Sequence, residues 1–297
     1  MSRIGMVIHP GRRAAVEAAE RIEAMLDAEG VETEVFSDDA ARPGGAAHLD
    51  LVISVGGDGT FLRAAHAASD LGCPVLGIKV GRLGFLTEVE PDGALDLIRS
   101  VLSGRARIDE RMALTVEPIE GAEFDPQWGL NEVMVEKRAR HRLVRLAVEV
   151  DGTYVTTFSA DGVIVASPTG STAYSFSARG PIVSPSVDAL VLTPVAAHMV
   201  FDRSFVLDPS SAVSLHVMGD ESGILSADGR QSVELPIGSR VRIRRSGRPA
   251  RMVRRDDAPG FLSLVRDKFD LPGGGDDDAD GAGGLDPTGG RGVGTDD

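Results

Sequence analysis

Apolar residues over the first hundred positions switch repeatedly between two periods. Arg3–Ile8 is a short run of strand type; Val16, Ala19, Ile22 and Leu26 then recur at helical spacing up to Gly30, which is well placed to end a helix. Glu32–Phe36 and residues 51–55 read as further strands, the second apolar almost throughout, as suits a parallel sheet buried on both faces. Residues 60–68 predict a helix and 75–78 a strand. Ala94, Leu97, Ile98 and Val101 mark another amphipathic helix closed by Gly104. Such alternation implies an open, Rossmann-like α/β sheet covered by helices, expected over residues 1–107.

From Arg111 onward the pattern changes to short strands separated by turn residues. Residues 143–150 and 153–159 flank Asp151-Gly152, a strong two-residue hairpin signal, and 163–166, 213–217 and 241–244 continue the style. An all-β, sandwich-type second domain is therefore expected over residues 108–256. Phe261, Leu262, Leu264, Val265 and Phe269 form a last helical stripe, expected over 257–270 to return to the first domain. Residues 271–297 are rich in glycine and aspartate and nearly devoid of large apolar residues. Burial there cannot offset the entropy of ordering, so a disordered tail is expected.

Composition narrows the function. With 42% hydrophobic content in 297 residues, the chain can bury a full core. A net charge of −14 argues against a general nucleic-acid binder, which needs excess cationic surface. Lysine occurs only at Lys79, Lys137 and Lys268, a bias that fits either a salt-loving host or a GC-rich genome with an acidic tail. The longest uncharged apolar stretch, residues 189–201, is broken by Pro194 and too short to span a bilayer, and Met1-Ser2-Arg3-Ile4 is no signal region. A cytoplasmic protein without a membrane partner is expected. Cys73 is the only cysteine, which excludes an internal disulfide and a cysteine-based zinc site. His9, His48, His66, His141, His198 and His216 lack metal-ligand spacing, so no protein-held metal is expected.

The most informative segment is Val55-Gly56-Gly57-Asp58-Gly59-Thr60-Phe61-Leu62. A buried strand ends in three glycines around one acid, and a helix begins at once. Glycines admit a bulky anion close to the backbone, and free N–H groups at a helix start attract phosphate. Asp58 falls where open α/β sheets bind ligands; as a purely structural residue it would serve as an N-cap. The loop is neither a Walker A sequence nor a Gly-x-Gly-x-x-Gly fingerprint, which disfavours ordinary P-loop enzymes and NAD-dependent dehydrogenases.

Gly56-Gly57-Asp58-Gly59-Thr60 resembles the signature shared by NAD kinases, diacylglycerol and sphingosine kinases, and phosphofructokinases. Four further segments make the chain similar to NAD kinases in particular. They are Gly81-Arg82-Leu83-Gly84-Phe85-Leu86, Asn131-Glu132, the long Asp161-to-Tyr174 segment containing Ser167-Pro168-Thr169-Gly170-Ser171-Thr172, and Leu192-Thr193-Pro194. A diacylglycerol-type lipid kinase would call for a basic amphipathic docking helix, and none is legible. A nucleotide sensor without catalysis would have little use for Asp58 among intact glycines.

The resemblance implies a Mg²⁺-dependent transfer of phosphoryl from ATP or polyphosphate to the 2′-hydroxyl of NAD, giving NADP, in a homodimer or homotetramer. It implies that Gly56, Gly57, Gly59 and Thr60 hold the donor's phosphates, that Arg63 is among the nucleotide-binding residues, and that Asp58 takes the hydroxyl proton. Asn131, Glu132, Arg142, Ser159, Asp161, Thr172, Ala173, Tyr174, Ser175, Ser177 and Arg230 would hold the dinucleotide, Tyr174 at the adenine and Asp161 at the nicotinamide end. Lys79 and Arg230 stand where the family commonly has asparagine and glutamine, which leaves donor preference open. A small Ser159 leaves NAD against NADH open.

Overall fold

The computed structural model describes residues 2–36, 48–81 and 84–272. The acidic tail expected from residue 271 therefore falls, past residue 272, outside the described residues, as do Arg82 and Leu83.

The first hundred residues form β1 (Arg3–Ile8), α1 (Arg13–Ala28), β2 (Glu32–Phe36), β3 (Leu51–Gly56), α2 (Asp58–Leu71), β4 (Val75–Lys79) and α3 (Pro91–Leu102). Then come β5 (Arg107–Arg111), β6 (Leu114–Glu120), β7 (Gln127–Gly129), β8 (Glu132–Lys137), β9 (Val144–Val150), β10 (Thr153–Ala160) and β11 (Gly162–Ala166). A 3-10 turn (Thr169–Thr172) and the one-turn α4 (Tyr174–Ser177) lead to β12 (Leu190–Val195), β13 (Phe205–Leu207), β14 (Val213–Met218) and β15 (Gly223–Ala227). The chain continues through β16 (Arg230–Leu235), β17 (Arg240–Arg245), β18 (Ala250–Arg254) and α5 (Phe261–Phe269).

The first sheet runs β2-β1-β3-β4-β18-β5, parallel except for the last pairing. Alternate residues of its strands face opposite sides. Ile4, Met6, Ile53 and Leu76 pack with Ala15, Ala19, Ile22, Ala94 and Ile98 of α1 and α3, whereas Val52 and Val75 pack with Phe61, Ala64 and Ala68 of α2. Each large side chain fully buried here contributes about 1.5–3 kcal/mol. The inward face of α1 is carried by Ala15 and Ala18 beside the expected residues; Val16, expected in that stripe, is exposed. Small alanines let the helix lie close on the sheet, and the wider face displaces Val16 to its edge.

The remaining strands make two antiparallel sheets, β10-β9-β14-β17-β6-β7 and β13-β12-β11-β8-β15-β16. Their inner faces share one core that includes Leu146, Phe158, Val163, Leu215 and Ile243, the expected sandwich. Asp151 and Gly152 have φ of +51° and +78°, which makes the β9–β10 turn the tight hairpin their sequence signals. The arginine-rich stretch 240–255 forms two strands. β17 lies in the sandwich, while β18 crosses back to pair with β4 and β5 in the first sheet. Alternating arginines show a strand's period but cannot show which sheet it joins.

α5 also returns. Phe269 stacks against Phe85 of the segment after β4, with ring centroids 6.1 Å apart, and against Phe176 of α4 at 4.5 Å. Leu264 and Val265 are buried, but Leu262, expected in the same stripe, is 76% exposed.

Candidate active site

β3 is buried along its whole length and ends at Gly56, and α2 starts two residues later. Gly57, not Asp58, holds the cap position, so the N-cap role available to Asp58 does not describe it. Its carboxylate reaches sideways instead. Oδ2 accepts the Phe85 N–H at 3.0 Å and Oδ1 the Leu86 N–H at 3.1 Å. A Cβ at Gly56 would lie 2.5 Å from the Thr60 hydroxyl, so packing alone demands that glycine. Gly57 and Gly59 differ: a Cβ on either would meet no described residue within 4 Å. The fold thus leaves open space beside both glycines at the start of α2, and a helix start is a setting in which phosphate is bound. Thr60 is buried, and the Arg63 guanidinium lies 3.5 Å from its hydroxyl.

The second element is the turn between β7 and β8. Asn131 is buried, and its carbonyl accepts the Ser167 N–H at 2.8 Å. The Ser167 hydroxyl donates to the Leu130 carbonyl at 2.5 Å and accepts the Gly170 N–H at 3.2 Å. Gly170 rests directly on the Asn131 peptide: a Cβ there would lie 2.0 Å from the Asn131 carbonyl oxygen. The hydroxyl-rich segment is thus a clamp on the Asn131-Glu132 turn. Thr172 caps back on the Thr169 carbonyl at 3.3 Å, and the single turn α4 follows. Ser175 is buried against Thr193, hydroxyl to hydroxyl at 3.2 Å, while Tyr174 and Ser177 are exposed.

Glu132 has the most perturbed carboxyl of the site. Burial, then the charge of Asp228, push its pKa up to about 8, against the lowering effect of the Tyr174 backbone N–H. Its Oε2 is buried with no hydrogen-bond partner in the fold. A buried acceptor in this state is costly unless something donates to it, or it carries the proton itself.

Arg142, Ser159 and Asp161 stand on separate elements: Asp161 lies at the far end of the sheet that holds β8 and β11, Ser159 is on β10 of the other antiparallel sheet, and Arg142 is in the loop between β8 and β9. Asp161 precedes β11, six residues from Ser167, or about 20 Å at 3.3 Å per residue. Its carboxylate is bonded to Lys137 Nζ at 2.5 Å. Arg142 is exposed and pairs with Glu221 at 3.5 Å, and the Ser159 carbonyl accepts the His198 N–H at 2.9 Å. A molecule touching both ends must be elongated. Arg230 opens β16 at the Glu132 end, next to the Asp228-Gly229 turn.

Two family models cover most of the chain: the ATP-NAD kinase N-terminal domain over residues 11–106 and the C-terminal domain over 130–255. The chain belongs to the NAD kinase family. An NAD kinase of Rhodococcus erythropolis is 39% identical over 90% of this chain and 93% of its own length. One of Thermobifida fusca is 39% identical over 90% and 89%. Among solved structures, a yeast NADH kinase complexed with NADH superposes with a TM-score of 0.80 at 25% identity, covering 91% of this chain and 88% of that one. An NAD kinase of Archaeoglobus fulgidus in complex with ATP gives 0.74 at 28%, covering 92% and 100%. The chain is accordingly an enzyme, a phosphotransferase of that family.

Within this NAD kinase family member, sequence reasoning missed Asp228 and His66. Asp228 was legible as an Asp-Gly turn signal, but nothing local shows that its carboxylate is buried beneath the Asn131-Glu132 turn. Lys137, the Asp161 partner, faces it across antiparallel β8 and β11, a pairing set by sheet register. Lys79, a departure from the family pattern, pairs with Glu90 at 3.0 Å. Among the described residues no cluster of three His, Cys, Asp or Glu side chains could hold a metal, and no helix is long and apolar enough to cross a membrane.

Proposed function

We propose that this enzyme transfers the terminal phosphoryl group of ATP, or of polyphosphate, to the 2′-hydroxyl of the adenosine ribose of NAD, producing NADP. The observation that carries the reading is the contrast among the loop glycines. Gly56 is required by packing, whereas Gly57 and Gly59 face space that no described residue fills. A polyphosphate chain needs such an approach to backbone N–H groups. ATP in the Archaeoglobus complex favours ATP as donor, and NADH in the yeast complex makes the reduced dinucleotide a second acceptor to test.

In this reading Glu132 offers its unpartnered Oε2 to a ribose hydroxyl, and Asn131 holds the adjacent part of the dinucleotide. Thr172, Ala173, Tyr174, Ser175 and Ser177 form the adenine side, and Arg142, Ser159, Asp161 and Arg230 the rest of the dinucleotide's path. Asp58 receives the proton of the attacking hydroxyl. Its two amide bonds aim the carboxylate and still leave lone pairs. That donor set also fits Mg²⁺, which is held by one or two carboxylates together with substrate phosphates. The ion would neutralise charge developing on the transferring group. The enzyme is further proposed to act in the cytoplasm as a homodimer or homotetramer, with a two-domain division near residue 107.

The test crosses Mg²⁺ plus ATP or polyphosphate with NAD, NADH and diacylglycerol, with products identified by mass. NADP from NAD is expected. Phosphorylated lipid, or no phosphorylated dinucleotide with either donor, would overturn the reading; size-exclusion with light scattering reports the assembly.

A further inference from the structure

The turn between β15 and β16 buries a carboxylate completely: the Asp228 side chain has 0% exposure. Four donors converge on it. The backbone N–H groups of Leu130, Asn131 and Glu132 lie at 2.7, 2.8 and 3.1 Å, and His66 Nε2 lies at 3.0 Å. Three successive amides directed at one acceptor-only group fix the peptide planes of the Asn131-Glu132 turn. The Asp228 N–H in turn donates to the Glu132 carbonyl at 2.9 Å, so the two turns are tied in both directions. Asp228 has φ of +51° and Gly229 of +68°, so a tight hairpin sets the aim of the carboxylate. His66 stands on α2 eight residues after Asp58, about two turns along the helix, with its ring edge-on to Trp128 at 4.8 Å.

We propose that Asp228 is a positioning residue for the phosphoryl acceptor. It holds Asn131 and Glu132 in the register that the dinucleotide reads and, through His66, couples that turn to the helix that carries Asp58. With a side chain wholly shielded from solvent, it acts through these residues rather than on substrate. The inference rests on the assignment of Asn131 and Glu132 to the dinucleotide. A second consequence is electrostatic. Asp228 is the charged group that acts on the Glu132 side chain, with His66 behind it on α2; α4 contributes the Tyr174 N–H, and the β11 neighbour across the sheet is Ala166. Removing the Asp228 charge therefore makes Glu132 easier to ionise.

The experiment measures KM for NAD and for ATP separately between pH 6 and 9, with melting temperatures. The variants are Asp228→Asn, His66→Leu, His66→Gln and Glu132→Gln. Wild type is expected to show a step in KM for NAD near pH 8, which Glu132→Gln abolishes. Asp228→Asn is expected to raise KM for NAD about tenfold, the order for losing a charge-assisted hydrogen bond, to change KM for ATP much less, and to move the step to lower pH. His66→Leu should shift KM for NAD the same way by less, and His66→Gln, whose amide can still donate, should restore it. Equal rises in both KM values with an unmoved step would reduce Asp228 to a structural residue and overturn the proposal. Should Asp228→Asn fail to fold, the His66 pair decides: no difference between Leu and Gln overturns it. If Glu132→Gln leaves KM for NAD and its pH dependence unchanged in an enzyme that makes NADP, the acceptor assignment itself fails. A responsive Glu132→Gln with inert Asp228→Asn removes the positioning role alone.

Discussion

Gly84 and Asp58 are in direct contact: a Cβ added to Gly84 would lie 2.0 Å from Asp58 Oδ1. The same carboxylate accepts the next two amides of that segment, so the glycine lets the chain close over the acid. Gly84→Ala is expected to push the carboxylate aside by about 1 Å, which costs on the order of 10²-fold in kcat when the displaced group acts in the chemistry. Steady-state kinetics with a melting curve check this. Wild-type kcat in a folded Gly84→Ala protein would show that the position of Asp58 does not matter.

Asp58→Asn tests the acid itself. An amide presents one oxygen and one NH₂, so only one of the two amide bonds survives and stability should drop by about 1 kcal/mol. Loss of the proton acceptor should cost about 10²- to 10⁴-fold in rate, far beyond the structural effect. Turnover within a few-fold of wild type would return Asp58 to a loop anchor.

Gly59→Ala separates fold from function most cleanly. Position 59 lies in the first turn of α2, where a Cβ meets no described residue within 4 Å. Alanine should leave stability unchanged or raise it by up to about 1 kcal/mol through helix propensity. KM for the phosphate donor should rise nonetheless, because the methyl group occupies space reserved for phosphate. A more stable protein with unaltered donor KM contradicts the phosphate site.

Tyr174 is 43% exposed, while its backbone N–H serves Glu132. Tyr174→Ala keeps the backbone bond, so the melting temperature should barely move. Loss of base stacking should weaken dinucleotide binding by about 1–3 kcal/mol, measurable by titration calorimetry. Unchanged NAD affinity with impaired ATP binding would exchange the two subsites.

Glu132 sets a pH dependence of stability. Its carboxyl rises from an ordinary 4.5 to about 8 in the fold. Below pH 4.5 folded and unfolded chains are both protonated. Between 4.5 and 8 only the unfolded chain has released the proton, so stability falls as pH rises, levelling off above 8. The loss is on the order of a few kcal/mol, and Glu132→Gln should remove it. Chemical denaturation at pH 5 and pH 8 gives the comparison; an equal slope in both proteins would place the titration elsewhere.

Much of this molecule was determined by local sequence. The apolar run of β3, the helix face of α3 and the Asp151-Gly152 turn each follow from spacing within a few residues, because side-chain period and turn geometry are local properties. So was the chemistry of the loop, since glycines around an acid between strand and helix restrict what can bind there. Tertiary structure decided what depends on distant segments meeting. Sheet order sent β18 away from β17 and into the first sheet. Burial, which no single segment fixes, made a titrating group of Glu132 and a structural hub of Asp228. The direction of the Asp58 carboxylate was settled by residues 84–86, more than twenty positions away, because a side chain bonds whatever donors the fold brings to it.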